Sequence, residues 1–147
     1  MKSFALRVGQ SLPLFSGLKA GLKAGGEDTS GGYCLIEVPL SPGGGPEPHI
    51  HEAEDEAFFV LEGEEVFQLG SDEVSLGVGA FVFVARGTLH THRNASDRPS
   101  RTLAIFTPAG IERFFPERAA LQARGGSAEE LAALRERFHI RYPEAVR

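Results

Sequence analysis

The stretch PHIHEAEDEAFFVLEG, Pro48 to Gly63, sets two histidines and five acidic residues around a short apolar run. If it is extended, residues two apart share a face with their Cα atoms roughly 6.6 Å apart. His49 and His51 would then point the same way, and two imidazoles so placed can approach one ion at about 2.1 Å each. The run that follows, AFFVLEG, reads as a half-buried strand ending on a turn glycine.

The text on either side has the same character. YCLIEVPL, EEVFQLG, DEVSLGVG, AFVFVARG, THRN and RTLAIFTP are further strand-like runs, separated by SPGGGP, GSD, GVG, RG and ASDRPS. Short strands at close spacing with no helix between them predict an antiparallel sandwich or barrel and argue against βαβ units. Leu12 to Lys23 is expected to supply one or two outer strands, and Gly25 to Gly32 a flexible turn. The near repeat GLKA, GLKA is too short to be a repeat unit. After TPAG the apolar period lengthens. Ile111, Phe114 and Phe115 open a helical segment, and SAEELAALRERF begins with Ser127 as N-cap and Glu130 three residues on, a capping box. Leu131, Leu134 and Phe138 fall on one face of that helix, which is expected to pack against the barrel.

Composition narrows the function. With 147 residues the chain is read as one domain: barrel core about 33–107, N-terminal strands 1–32, C-terminal helical extension 110–147. A formal net charge of -5 carries no basic footprint for nucleic acid. No apolar run reaches the roughly 18 residues a membrane span needs, and Met1 to Leu12 mixes Lys2, Arg7 and Gln10 among its hydrophobes, so a cytoplasmic protein without membrane contact is expected. Cys34 is the one cysteine, which excludes an intramolecular disulfide and a thiolate cluster; within YCLIEV it reads as a small buried hydrophobe, the alternative being a reactive or ligand-contacting thiol.

Four of the five histidines fall in two places, His49 with His51 and His90 with His92. His90 follows the strand-like AFVFVARG and is a natural third ligand, and a carboxylate would make a fourth. His92, two residues on, shares its face and could line the pocket, replace a ligand or act as an acid or base near pH 7. His139 is expected to have a surface or packing role.

The spacing itself resembles the two motifs of the cupin superfamily. Gly43, His49, His51, Glu56 and Gly63 match the first at every position. Gly79, Gly87, His90 and Asn94 match the second, with Ala85 where the family usually has proline. The surrounding text looks like the small single-barrel bacterial cupins related to the quercetin dioxygenase group. The resemblance implies an all-β, double-stranded β-helix (jelly-roll) barrel with one divalent transition metal inside, bound by His49, His51, Glu56 and His90. Ala85 loosens the turn before His90 but removes no ligand. Gly63 and Gly87 would take positive φ at hairpin ends, and Asn94 would support local structure.

Alternation then sorts the acids. With Glu56 inward, Phe58 and Val60 follow it, while Asp55, Ala57 and Phe59 face out. Glu52, Glu54 and Asp55 are expected in a solvated acidic turn, the alternative being that one of them orients an imidazole. Phe58, Phe81, Phe83 and Phe106 could make the pocket apolar or serve as plain core. Arg86 and Arg93 could meet an anionic ligand or be solvated.

Three histidines and a carboxylate suit Fe, Mn, Ni, Cu or Zn, and an octahedral ion keeps two positions open. The expected function is a dioxygenase acting on a small enolisable or aromatic substrate. There the substrate's enolate oxygen meets the metal, Glu56 takes its proton as base, and dioxygen enters the remaining position. The alternatives are a non-catalytic metal-bearing barrel that binds a small molecule, and a metal-dependent isomerase of a sugar or keto acid. A homodimer is expected.

Overall fold

Every second side chain of Asp55–Glu62 turns inward: Glu56, Phe58 and Val60 are buried, whereas Phe59 is exposed. That alternation repeats through the computed structural model, which describes residues 3–143 of the chain. The ends of the expected domain span, 1–2 and 144–147, lie outside the described residues.

In chain order the elements are β1 (Gly21–Ala24), α1 (Gly26–Thr29), β2 (Cys34–Leu40), β3 (Ile50–His51), β4 (Asp55–Glu62), β5 (Glu64–Leu69) and β6 (Asp72–Gly77). They continue with β7 (Phe81–Val84), β8 (His90–Arg93), β9 (Ser100–Thr107), α2 (Phe114–Ala123), α3 (Ala128–Arg137) and β10 (Ile140–Arg141). The strands form sheets ordered β1-β2-β9-β4-β7, β6-β5-β8 and β10-β3, all antiparallel. The fold is a double-stranded β-helix with helices at its C-terminal side, as expected.

The interior between the two larger sheets is filled by Ile36, Phe58, Val60, Phe67, Ala104 and Phe106. A side chain the size of Phe58, which is 1% exposed, contributes about 1.5–3 kcal/mol by leaving water. Gly63, between β4 and β5, has φ 73°, and a Cβ there would lie 2.8 Å from the Pro99 carbonyl oxygen, so the tight turn requires glycine on both counts.

Several expectations are corrected. Phe81 and Phe83 point outward instead of joining the core; they are 59% and 58% exposed. The reason is register: Phe81 pairs with Phe59 and Phe83 with Ala57, both on the outward face of β4, and Val82 and Val84 take the inward positions. Ahead of β2, among the described residues, the chain forms β1 alone as a strand, preceded by a 3-10 turn at Pro13–Phe15; a short helix, α1, stands where a flexible turn was expected. The capping box of α3 is present, with Glu130 N donating to Ser127 Oγ and Ser127 N to Glu130 Oε2. Leu134 of that helix is buried, with Leu131 and Phe138 packed beside it. Unforeseen is β10, which pairs Ile140 with His51 and so ties the C-terminal segment to the histidine strand.

Candidate metal centre

Three separate strand ends bring the donors together. His49 and His51 lie at β3, Glu56 is the second residue of β4, and His90 opens β8, bridged to His49 by two backbone hydrogen bonds of 2.9 Å. One donor atom from each of these four buried residues can be chosen so that all lie within 4.8 Å of one another, a group that could hold a metal ion. The structure thus brings together the residues singled out from the sequence.

The imidazoles are held from behind. Nδ1 of His49 is 2.8 Å from the Glu47 carbonyl oxygen, and Nδ1 of His90 is 2.9 Å from that of Thr88. A carbonyl only accepts, so both Nδ1 atoms carry hydrogen and both Nε2 atoms face the centre. Nε2 of His49 and Nε2 of His51 lie 3.2 Å apart, and His90 Nε2 is 2.8 Å from Glu56 Oε2. Two nitrogen lone pairs at such a distance repel unless a proton or a cation lies between them. Adjacent donors each about 2.1 Å from one ion are themselves roughly 3 Å apart, so the donor set fits a cation.

Electrostatics follow the packing. Burial, with His90 adding to it, lowers the His49 pKa to about 4; burial, with His49 and then His90, lowers His51 to about 2. Both are therefore neutral at pH 7, the form that binds metal. Burial alone would lower His90 too, but the hydrogen bond and charge of Glu56 outweigh it and raise it.

His51 differs from the other two. Its Nδ1 is buried without a hydrogen bond, and 3.8 Å away is Glu54 Oε2, also buried and unpartnered. Glu54, expected in a solvated turn, is 7% exposed, and burial raises its pKa. The other two acids are exterior, as expected: Glu52 pairs with Arg141 and Asp55 with Arg86. Arg86 and Arg93 are exposed, the first paired with Asp55 and the second with Glu73.

His92 lines the cavity rather than joining the cluster. Its Nδ1 is 2.7 Å from Glu65 Oε2, and the other oxygen of Glu65 accepts from Ser100 Oγ at 2.8 Å. Its ring lies 4.7 Å from that of Phe58 and is stacked on Phe67 at 5.6 Å. Glu65, 0% exposed, escaped the sequence reading; its signal was an acid in step with inward Phe67. Asn94 ties the loop after β8, donating to Leu40 O and Arg98 O, and His139 is exposed, both as expected. Cys34 is fully buried; burial, and then Glu112, raise its thiol pKa, which keeps it protonated.

A cavity of about 140 Å³ opens against His49, His51 and Glu56. Its walls are Phe58 and Phe106 from the barrel, Phe114, Phe115 and Arg118 from α2, and Tyr142 after β10. Tyr142 stacks on His49 at 5.7 Å, with the Arg135 guanidinium 3.8 Å over its own ring. The C-terminal segment therefore builds one wall of the site, which the motif spacing within 43–94 had no means to reveal. A wider hollow of about 760 Å³ beside Leu12, Pro13 and α1 contains none of the histidines, so the chemistry belongs to the smaller cavity.

A family model described as a cupin domain matches residues 36–106. Residues 36–106 are thus a cupin domain. Among curated relatives, the chain is 37% identical over 62 residues to an uncharacterized protein of Aquifex aeolicus, covering 42% of this chain and 50% of that one. It is 27% identical over 89 residues to quercetin 2,3-dioxygenase of Bacillus subtilis, covering 60% of this chain and 26% of that one. The matches thus span half or less of these curated relatives. Among solved structures, a predicted oxalate decarboxylase from Thermotoga maritima superposes with TM-score 0.59 at 24% identity, over 60% of this chain and 78% of that one, which is likeness of fold. Among the described residues no helix is long and apolar enough to cross a membrane.

Proposed function

We propose that this cupin binds one divalent transition metal through His49, His51, Glu56 and His90 and uses it on a small enolisable substrate, with a dioxygenase reaction as the leading chemistry. The observation that carries the proposal is the convergence of four buried donors on the wall of an apolar cavity. Apolar core alone has no use for three imidazoles and a carboxylate, and burying them unpartnered is costly. Likeness to quercetin 2,3-dioxygenase supports the oxygen-dependent branch.

When bound, the metal supplies Lewis acidity toward a substrate oxygen and, if redox-active, a route to dioxygen. The protein residues do the rest. His49 and His51, neutral, and His90 hold their Nε2 atoms inward; Glu56, beside the cavity, takes the proton released as the substrate enolises. Phe58, Phe106 and Phe115 exclude water around the carbon skeleton. Size restricts the substrate. About 140 Å³ is comparable to a cavity of roughly 150 Å³ that accommodates benzene, so a single-ring or smaller molecule fits better than a three-ring flavonol.

An isomerase of a keto acid is the second reading, favoured by the same base and the same small cavity, whereas the apolar walls oppose a sugar. Metal analysis of chelator-free protein, followed by oxygen-electrode and product assays on the Fe, Mn, Ni, Cu and Zn forms, separates the two. Oxygen uptake supports the dioxygenase; rearranged product without uptake supports the isomerase; metal-free protein refutes both. The exposed Phe59, Phe81 and Phe83 on the outer face of β4 and β7 support the expected homodimer, which light scattering measures.

A further inference from the structure

Arg118 is a cation with no carboxylate partner among the described residues. Arg86, Arg93, Arg101, Arg124, Arg137 and Arg141 each pair with an acidic side chain. Arg118, half-buried, has no hydrogen bond or ion pair to an acid among the described residues. It lies four residues after Phe114 and three after Phe115 on α2, so all three share one helix face, and that face lines the cavity at the metal centre. A guanidinium drawn out of water among aromatic walls gains a great deal from an anion.

The geometry points the same way: Arg118 lines the same small cavity as His49, His51 and Glu56, across from them on α2 and between aromatic walls. The guanidinium presents paired donors in a planar fork that matches the two oxygens of a carboxylate.

We propose that the substrate of this centre is a small carboxylate, about as bulky as a benzene ring, whose carboxylate pairs with Arg118 while a second oxygen reaches the metal centre. The placing of that second oxygen rests on the metal reading above; the pairing with Arg118 does not. The apolar walls between the two ends accept a short hydrocarbon skeleton, so an enolisable 2-oxo acid combines the required groups. Arg118 is then a specificity-determining residue contributed by the C-terminal segment rather than by the barrel motifs.

The test is calorimetric titration of the full-length protein with 2-oxobutanoate and with pentane-2,3-dione, which replaces the carboxylate by a neutral acetyl group of similar shape. The metal-loaded wild type should bind the acid about ten- to hundred-fold more tightly, the value of one charge-assisted hydrogen-bonded pair. Arg118→Met should abolish that preference without weakening the dione, and Arg118→Lys should retain part of it. Thermal melts confirm that both variants fold; the wild-type comparison of acid with dione stands without them. Equal binding of the two ligands, binding of neither, or unchanged acid affinity in Arg118→Met overturns the proposal. Metal content is measured on the same samples: a wild type that holds no metal yet prefers the acid refutes the metal reading and leaves the Arg118 pairing standing.

Discussion

Strand β8 carries two histidines on one face, and each meets a buried glutamate: His90 with Glu56 at 2.8 Å and His92 with Glu65 at 2.7 Å. The second pair is closed. Ser100 occupies the other oxygen of Glu65, and Phe58 and Phe67 pack the His92 ring. The first is open on the side of His49 and His51, where two Nε2 atoms 3.2 Å apart have nothing to share but a proton or a cation. The same residue types, two positions apart, give a self-satisfied brace in one case and a set of donors that could hold a metal ion in the other. What separates them is how many lone pairs are left over, not which residues are present.

The comparison breaks most visibly at the open pair. His49→Ala or Glu56→Ala should abolish metal retention on purification, measured by elemental analysis, whereas Glu65→Ala should keep it. Metal retained in both of the first two variants would show that the cluster is a brace like its neighbour. Next in size is the closed pair. Glu65→Ala leaves His92 Nδ1 and Ser100 Oγ buried without an acceptor, and breaking a buried pair of this kind costs about 3–5 kcal/mol. Urea unfolding should show that loss; a change under about 1 kcal/mol would mean that the pair is not bracing the barrel.

Much of this contrast was legible in the letters. His49 and His51 were found because residues two apart on a strand share a face, and His90 by its place after AFVFVARG; Glu56 and the complete set came from the resemblance to the cupin motifs, whose glycines mark where turns fall. Alternation also placed Phe58 and Val60 inside. It gave no direction for Phe81 and Phe83, because AFVFVARG is apolar at both parities, and only pairing with β4 decides which parity faces the core. Glu54 was misjudged because an acid in an acid-rich turn looks solvated; the pairing of β10 with β3 beside that turn is a tertiary contact with no local signal. Arg118 and Tyr142 were invisible for a related reason. Their approach to the cavity depends on how α2 and β10 pack on the barrel, a tertiary fact with no local signature.

Glu54 gives the third effect in size. His49 and His90 have a backbone carbonyl behind Nδ1; His51 has only the Glu54 carboxylate, 3.8 Å away, with both atoms buried and unpartnered. A shift of about 1 Å on metal binding would make this a hydrogen bond, and partners of this kind are worth about ten- to hundred-fold in metal affinity. Glu54→Ala should therefore weaken metal binding by that factor without abolishing it, as read by competition with a chromophoric chelator, and Glu54→Gln should restore part of it. Unchanged affinity in Glu54→Ala would leave His51 with no support from behind.

The smallest effect tests whether the two pairs are independent. Ser100 is 2% exposed and donates to Glu65 Oε1, so Ser100→Ala removes one donor from a carboxylate that keeps its contact with His92. The expected loss is about 1–2 kcal/mol in urea unfolding, since one buried acceptor oxygen loses its partner while the rest of the network stays intact. Metal affinity should not move, because Ser100 lies on β9 and its hydroxyl bonds Glu65, not the His90–Glu56 pair. If affinity falls with stability, strain at His92 is passing along β8 to His90 two residues away. The closed pair would then be part of the metal centre's support, and the distinction between brace and site would fail at the strand they share.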